Sequence, residues 1–186
     1  MKYCSNCGSD QLKFIIPEDD NRKRFCCPDC GEIFYSNPNV VVGALSVHDN
    51  KILMAKRNIF PRKDKWTLPA GFLENGETLQ EGAIRETQEE TLADIKIIQP
   101  YTMISLPHIN QVHMFYLADL PNATFGTTIE SSEVKLLALE EIPWEEVAFP
   151  TVKLTLKFYQ DDLSKNTFTF SCLLYTSDAA DEKYRG

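Results

Sequence analysis

The chain has 186 residues, of which 43% are hydrophobic and 25% charged, which suits one ordinary core with a small appendage and excludes disorder throughout. Its formal net charge of -8 argues against broad wrapping of nucleic acid, which requires clustered Lys and Arg side chains. It contains neither a signal-peptide pattern at its start nor an apolar run of about eighteen residues, so we expect a soluble, cytoplasmic protein with no membrane partner.

Residues 1–36 contain two Cys-x-x-Cys-Gly turns, and five of the six cysteines of the chain precede residue 31. A reducing cytosol disfavours disulfides, whereas four thiolates from two such turns suit a tetrahedral zinc ion with no open position. We therefore predict a small zinc ribbon with a structural zinc ion and with Cys26 outside the site. A ribbon that binds nucleic acid is the alternative. The four predicted zinc ligands are Cys4, Cys7, Cys27 and Cys30.

Residues 37–171 combine strand patterns with two helical patterns. Helices are predicted over Leu79–Leu92 and Pro150–Leu163, and Trp66–Gly71 leads into the first of them. This mixture of elements predicts an α/β fold in which a sheet lies between helices. The other predicted strands are Val40–Val47, Lys51–Lys56, Ile95–Ile98, Tyr101–Leu106, Val112–Ala118 and Val134–Ala138.

Residues 172–186 require a separate interpretation. The stretch from Cys172 to Glu182 can be back-translated into the end of a common transposon-based sequencing adapter. We therefore predict that residues 172–186 are a non-native tail and that the natural sequence differs after Ser171. Resequencing the locus with another library chemistry tests this interpretation.

The segment from residue 71 to residue 90 carries the side chains best suited to catalysis. Thr78 begins a capping-box pattern, so a helix is expected to start there. Three glutamates then fall on or beside one edge of this helix. Such carboxylates repel one another unless a cation lies between them, and hard oxygen ligands favour Mg²⁺ or Mn²⁺. Arg85 can hold a neighbouring carboxylate, and Glu77 can fold back toward the metal. The three helical carboxylates are Glu86, Glu89 and Glu90.

This segment resembles the Nudix box, the signature of hydrolases that cleave a nucleoside diphosphate linked to another moiety. The resemblance implies a Nudix α/β/α sandwich with a mixed sheet, and direct metal binding by Glu86 and Glu90 with help from Glu89. Leu92 replaces a glycine of the pattern, and a left-handed backbone there costs about 1–2 kcal/mol. The helix therefore either ends at Leu92 or continues to Asp94. The matching positions are Gly71, Glu77, Arg85, Glu86, Glu89 and Glu90.

Residues outside the box are assigned roles by position. Such enzymes usually take their general base from outside the box, and Glu130 and Glu133 are the candidates. Arg57 is a candidate phosphate contact, and Gly71 and Phe72 are candidate substrate contacts. Other aromatic side chains can either stack on a ring of the substrate or pack in the core. These are Phe34, Tyr35, Tyr101 and Phe115.

The chain has a zinc ribbon followed by the box, and this layout resembles that of the zinc-ribbon Nudix group that includes plant FAD and ADP-ribose pyrophosphatases. This implies a dinucleotide-type small-molecule substrate, with FAD cleaved to FMN and AMP first and ADP-ribose second. NADH ranks lower, because neither Ile98–Tyr101 nor Ser105–His108 matches the Ser-Gln-Pro-Trp-type signature of NADH pyrophosphatases. The resemblance also implies a homodimer. The alternative class is an inactive Nudix module that senses a nucleotide or binds nucleic acid.

Overall fold

The computed structural model describes residues 1–176, which fall into two compact units, Met1–Asn37 and a second unit that begins at Pro38. The first unit is a sheet of three short antiparallel strands. Cys4 and Cys27 are buried in it, whereas most other side chains of the unit are exposed. Strand pairing alone therefore leaves this unit with a very small core. Its strands are β1 (Lys13–Ile15), β2 (Arg24–Cys26) and β3 (Ile33–Phe34).

The second unit is built on a mixed eight-stranded sheet. The main path follows the order β10-β5-β4-β9-β8-β11, while β6 pairs with β5 and β7 pairs with β4. The pairs β4 with β9 and β8 with β11 are parallel, and the others are antiparallel. The strands are β4 (Asn39–His48), β5 (Lys51–Arg57), β6 (Trp66–Thr67), β7 (Ala70–Phe72), β8 (Lys96–Leu106), β9 (Gln111–Asp119), β10 (Ser131–Leu137) and β11 (Ser171–Leu174).

The helices α1 (Leu79–Thr91) and α2 (Pro150–Lys165) cover opposite faces of this sheet. Leu45 of β4 belongs to the core cluster that contains the apolar side chains of α2. The next residue toward the N-terminus, Ala44, belongs to a cluster on the other face, where α1 also packs. Because successive strand residues point to opposite faces, the sheet lies between the two helices. The predicted α/β/α sandwich with a mixed sheet is confirmed.

One strand prediction is wrong in detail. The predicted strands Ile95–Ile98 and Tyr101–Leu106 form a single strand, β8, that continues through Pro100. The register against β9 shifts between Ile97 and Gln99, and again between Pro100 and Thr102. These irregularities allow a residue without an N–H to remain inside the strand.

The end of α1 settles the alternative left open by the sequence. Leu92 has the left-handed backbone angles φ 58° and ψ 16°, and its N–H donates to the carbonyl of Gln88 at 2.8 Å. The N–H of Gly126 donates to the carbonyl of Thr91 at 2.7 Å, so a neighbouring loop satisfies the last turn. The helix therefore ends at Thr91, and the alternative that it continues to Asp94 is wrong.

The C-terminal part of the described chain adds β11 to the sheet, in parallel with Thr102–Ser105 of β8. Most of the predicted non-native tail, residues 177–186, lies outside the described residues. The proposal of a non-native tail therefore stays a prediction. Within residues 1–176, no helix combines the length and the apolar character needed to cross a membrane.

Candidate active site

The loop before α1 is held by a network of its own. Thr78 caps the helix, because its hydroxyl accepts from the N–H of Glu81 at 3.2 Å while the Glu81 carboxylate accepts from the N–H of Thr78 at 2.8 Å. Gly76 supplies the positive φ of 90° that turns the chain into the helix. Glu77 accepts from the N–H of Glu74 at 2.7 Å. This hydrogen bond closes the loop on itself and fixes the carboxylate of Glu77 there.

Arg85 connects the carboxylates of the loop and the helix. Its guanidinium donates to Glu77 at 2.7 and 3.0 Å, to Glu86 at 2.7 Å and to Glu89 at 3.1 Å. It also donates to the carbonyl of Phe72 at 3.0 Å. The hydrogen bonds that Glu77 accepts from Arg85, and next the one from the N–H of Glu74, lower the pKa of Glu77 to about 2. Arg85 therefore fixes Glu77, Glu86 and the end of β7 relative to one another.

Two of the helical carboxylates are shielded from water. Glu90 is 6% exposed, and the N–H of Ala70 donates to its carboxylate at 3.3 Å. Burial raises the pKa of Glu90 to about 8, and burial also raises the pKa of Glu86, against the effect of Arg85. An ionised carboxylate in such a place is costly unless a cation accompanies it. Oxygen ligands of this type suit Mg²⁺ or Mn²⁺, so the donor set fits a hard divalent ion.

The three carboxylates do not meet at one point. The side chain of Glu89 is 59% exposed and shares the guanidinium of Arg85 with Glu86, whereas Glu90 turns toward Ala70. Among the described residues, carboxylate oxygens of three acidic side chains do not come within 4.8 Å of one another. The structure therefore places Glu86 and Glu90 beside β7 and leaves Glu89 at the rim.

Gly71 allows β7 to approach these carboxylates. A Cβ atom at Gly71 would lie 2.2 to 2.4 Å from the three carboxyl atoms of Glu86. A second such glycine, which the sequence did not indicate, is Gly82 in α1, where a Cβ atom would lie 2.9 Å from Glu77 and 2.8 Å from Val42. Helix spacing places Gly82 one turn before Glu86, but the closeness of the loop is a tertiary contact that the spacing does not reveal.

Gly71→Ala is expected to reduce the rate of the catalysed reaction by about a hundredfold, because a methyl group there displaces the carboxylate of Glu86 by about an ångström. The protein should remain folded, since a side-chain end moves rather than the backbone. Enzyme assays and thermal unfolding of the same preparation test this. Gly126→Ala is the matched control, since its Cβ atom would lie 3.2 Å from Leu92. Retention of wild-type activity by Gly71→Ala would contradict the prediction.

The two candidate bases differ in their surroundings. Glu133 lies on β10, where Lys135 binds its carboxylate and Lys56 lies 3.9 Å away. The hydrogen bond from Lys135 lowers the pKa of Glu133. Glu130 lies in the preceding loop, where its carbonyl accepts from the N–H of Asn58 at 2.7 Å. Burial is the main cause of the raised pKa of Glu86 and Glu90, and the charge of Glu130 makes only a small contribution to each. The charge of Glu130 therefore acts weakly on both of those carboxylates, whereas the charge of Glu133 is held by two lysines.

A pocket of about 420 Å³ opens beside the acidic helix, and its lining includes Gly71, Phe72 and Arg57. The structure thus brings together the three predicted substrate contacts. Gly71 borders both the pocket and the carboxylate of Glu86. The guanidinium of Arg57 lies 5.1 Å from the centre of the Phe149 ring, and its charge acts to lower the pKa of Glu90.

The predicted aromatic contacts separate into three groups. Tyr101 is buried in the core, and Phe115 is buried but also lines the pocket. Phe72 is 52% exposed at the pocket. Phe34 and Tyr35 belong to the ribbon, where the guanidinium of Arg24 lies 5.0 Å from the centre of the Tyr35 ring. In the second unit, Phe72 and Phe115 are therefore the aromatic side chains available to a ligand among those predicted.

The four predicted zinc ligands converge in the ribbon. Their sulfur atoms all lie within 4.8 Å of one another, with Cys4 to Cys30 at 3.7 Å and Cys7 to Cys27 at 3.6 Å. Sulfur atoms on one tetrahedral zinc ion at about 2.3 Å are roughly 3.8 Å apart, so the cluster fits this ion. Cys26 lies outside the cluster, as predicted. Its thiol is directed at the carbonyl of Arg24.

Removal of zinc with a chelator at neutral pH is expected to unfold residues 1–36, because the ribbon has almost no other core. Trypsin should then cleave at Lys13 and between Arg22 and Arg24, while the unit that begins at Pro38 resists. Cys4→Ser should act as the chelator does, and Cys26→Ser is the matched control that should leave cleavage unchanged. A ribbon that stays resistant without metal would contradict the prediction.

Comparison with known families gives two matches. Residues 37–160 match the NUDIX domain family, and residues 2–36 match the zinc-ribbon family described as Nudix N-terminal. Since the first match covers more than half of the chain, the chain belongs to the Nudix family, and it is a hydrolase of that class. The predicted resemblance is confirmed at this level.

The most informative relatives carry narrower names. An ADP-ribose pyrophosphatase from Methanocaldococcus jannaschii is 30% identical over 126 residues, which cover 64% of this chain and 72% of the relative. An NAD-capped RNA hydrolase NudC from Vibrio atlanticus is 32% identical over 128 residues, which cover 67% of this chain and only 44% of the relative. The crystal structure of a NUDIX hydrolase from Nitrosomonas europaea has a TM-score of 0.91 at 44% identity and covers 94% of this chain and 99% of its own.

Proposed function

We propose that this Nudix hydrolase is a divalent-metal-dependent pyrophosphohydrolase that cleaves ADP linked to another moiety, with ADP-ribose as the first substrate. The observation that carries the proposal is the position of Gly71. On one side it contacts the carboxylate of Glu86, and on the other it lines the pocket that contains Arg57. A diphosphate lying across β7 can therefore reach both the acidic helix and the pocket.

Glu86 and Glu90 are the residues proposed to hold Mg²⁺ or Mn²⁺, with Glu89 assisting from the rim. Such an ion activates water and neutralises charge on the diphosphate oxygens. Arg85 keeps Glu86 in place through its 2.7 Å hydrogen bond and is itself fixed by Glu77. Because the chain is acidic overall, the positive charge that neutralises a bound diphosphate is proposed to come from the metal ion and from a few basic side chains such as Arg57.

Two further residues are assigned roles in the reaction. Arg57 is proposed to bind a phosphate oxygen, since it lines the pocket and its charge acts on Glu90. Glu130 is proposed to accept the proton of the attacking water, since its carbonyl binds the N–H of Asn58, the chain neighbour of the pocket residue Arg57. Its charge also acts weakly on both Glu86 and Glu90. Glu133 is the weaker candidate, because two lysines already neutralise it.

The order of substrates rests on the relatives and on the pocket. The relative named ADP-ribose pyrophosphatase is matched over 72% of its length, which supports ADP-ribose. FAD is the second candidate, because Phe72, Phe115 and Phe149 line the pocket and aromatic rings favour a planar ligand. NADH ranks third because the NADH-type signature is not matched. A homodimer and a cytoplasmic location remain part of the proposal.

The test is release of phosphomonoester from ADP-ribose, FAD and NADH by zinc-loaded protein, with Mg²⁺ or Mn²⁺ and with a chelator. We expect cleavage only with divalent metal and the highest kcat/KM for ADP-ribose. A higher value for FAD or NADH would change the assigned substrate. Absence of cleavage of all three by folded protein would overturn the proposal and favour a nucleotide-sensing module.

A further inference from the structure

A relay of three polar side chains lines the largely apolar pocket. Gln111 and His113 lie two residues apart on β9, so their side chains share one face of the sheet. Thr151 lies in the first turn of α2, which packs on that face. One ring nitrogen of His113, Nδ1, lies 3.0 Å from Oγ1 of Thr151, and the other, Nε2, lies 2.9 Å from Oε1 of Gln111. All three residues line the pocket.

The direction of the relay follows from the hydroxyl of Thr151. Thr151 is 1% exposed, and among the described residues His113 is the sole partner of its side chain. A buried hydroxyl needs an acceptor, so Thr151 donates to Nδ1 of His113. Burial lowers the pKa of His113 to about 4, so the ring is neutral near pH 7 and carries its single proton on Nε2.

This arrangement determines how Gln111 faces a ligand. The Nε2–H of His113 donates to the carboxamide oxygen of Gln111, which fixes the side chain. The carboxamide N–H groups of Gln111 have no partner within residues 1–176 and are free to donate to a ligand in the pocket. Pocket polar groups of this kind, few and fixed in an apolar surround, set ligand orientation and specificity.

We propose that Gln111 is a specificity residue that donates a hydrogen bond to a carbonyl or ring-nitrogen acceptor on an uncharged heteroaromatic group of the substrate, with His113 and Thr151 as positioning residues. The aromatic part of the lining, Phe72, Phe115 and Phe149, suits the faces of such a ring. The inference rests on the proposed function and deepens it, since it assigns the pocket to a base or flavin ring rather than to a sugar.

The first test uses Gln111→Glu, which has the same shape and still accepts from His113 but loses the N–H donors. Calorimetry without divalent metal measures the Kd of AMP, FMN and ribose 5-phosphate. At least one of AMP and FMN should bind about tenfold to a hundredfold more weakly, the cost of a lost donor facing an acceptor. Ribose 5-phosphate has a sugar ring but no heteroaromatic group, so it reports the added negative charge alone, and its Kd should change less than about twofold.

The second test separates positioning from general packing. Thr151→Val removes the hydroxyl, so His113 and Gln111 are no longer held in one orientation. The KM for the preferred substrate should then rise about threefold to tenfold, with kcat unchanged. Thr151→Ser keeps the hydroxyl and should restore the wild-type KM. Unfolding midpoints of both variants are measured in parallel. A Thr151→Val enzyme with lowered stability and unchanged KM would overturn the positioning role.

Three results would overturn the role of Gln111: wild-type protein that binds neither AMP nor FMN, a Gln111→Glu variant that binds both normally, or an equal loss for ribose 5-phosphate. The binding assay is independent of turnover. Wild-type protein that binds AMP or FMN through Gln111 but cleaves none of the three dinucleotides would preserve this inference and remove the proposed function.

Discussion

Glu90→Gln is expected to reduce kcat/KM of the metal-dependent reaction by about a hundredfold to a thousandfold, the range seen when one electrostatic contact to the reacting group is removed. Glu90 is the most buried of the three helical carboxylates, and an amide in its place is a neutral and weaker ligand for a hard cation. The loss should persist at saturating Mg²⁺ if the residue supplies charge as well as affinity.

The same substitution should stabilise the metal-free protein at high pH. Burial raises the pKa of Glu90 from its ordinary value of 4.5 to about 8 in the folded state. The protonated Glu90 therefore makes its full contribution to the free energy of unfolding below about pH 4.5, and this contribution is lost as the pH rises toward 8. Gln does not ionise, so in a chelator Glu90→Gln should unfold at a higher temperature than wild type above pH 8.

Glu81→Gln is the matched control for this experiment. Glu81 lies on the same helix, and a Gln can still accept from the N–H of Thr78 in the capping box. Its activity should equal that of wild type. If Glu90→Gln and Glu81→Gln were equally active, Glu90 would have no part in metal binding.

The features that the sequence predicted well are those set by short-range spacing. The capping box of Thr78 and the two Cys-x-x-Cys turns each depend on residues a few positions apart, and both appear in the structure as expected. The left-handed residue after α1 was recognisable from the position of Leu92, although its steric cost left the helix end open. The N–H of Gly126 that satisfies this end comes from a distant loop, so no local pattern reveals it.

The features that the sequence missed depend on long-range pairing. Thr151 and His113 are 38 residues apart, and only the packing of α2 on β9 brings them together. Glu130 and Glu133 are equivalent by composition, yet the alignment of β10 with β5 places Glu133 opposite Lys56. Strand register, rather than residue type, therefore separates the candidate base from a structural ion pair.

Glu130→Gln is expected to lower kcat by about a hundredfold to a thousandfold, the usual contribution of general base catalysis, with KM little changed. The amide keeps the size of the side chain and leaves the carbonyl of Glu130 bound to the N–H of Asn58, so the loop should keep its conformation.

Glu133→Gln is the matched control, and its kcat should stay within about threefold of wild type, since it loses only partly exposed ion pairs with Lys56 and Lys135. The reverse pattern would transfer the base to Glu133 and would require that its carboxylate leave both lysines in the bound enzyme. Near-normal activity of both variants would exclude Glu130 and Glu133 as the source of the base. Each variant differs from wild type only in the loss of one carboxylate, so neither carboxylate would then be needed.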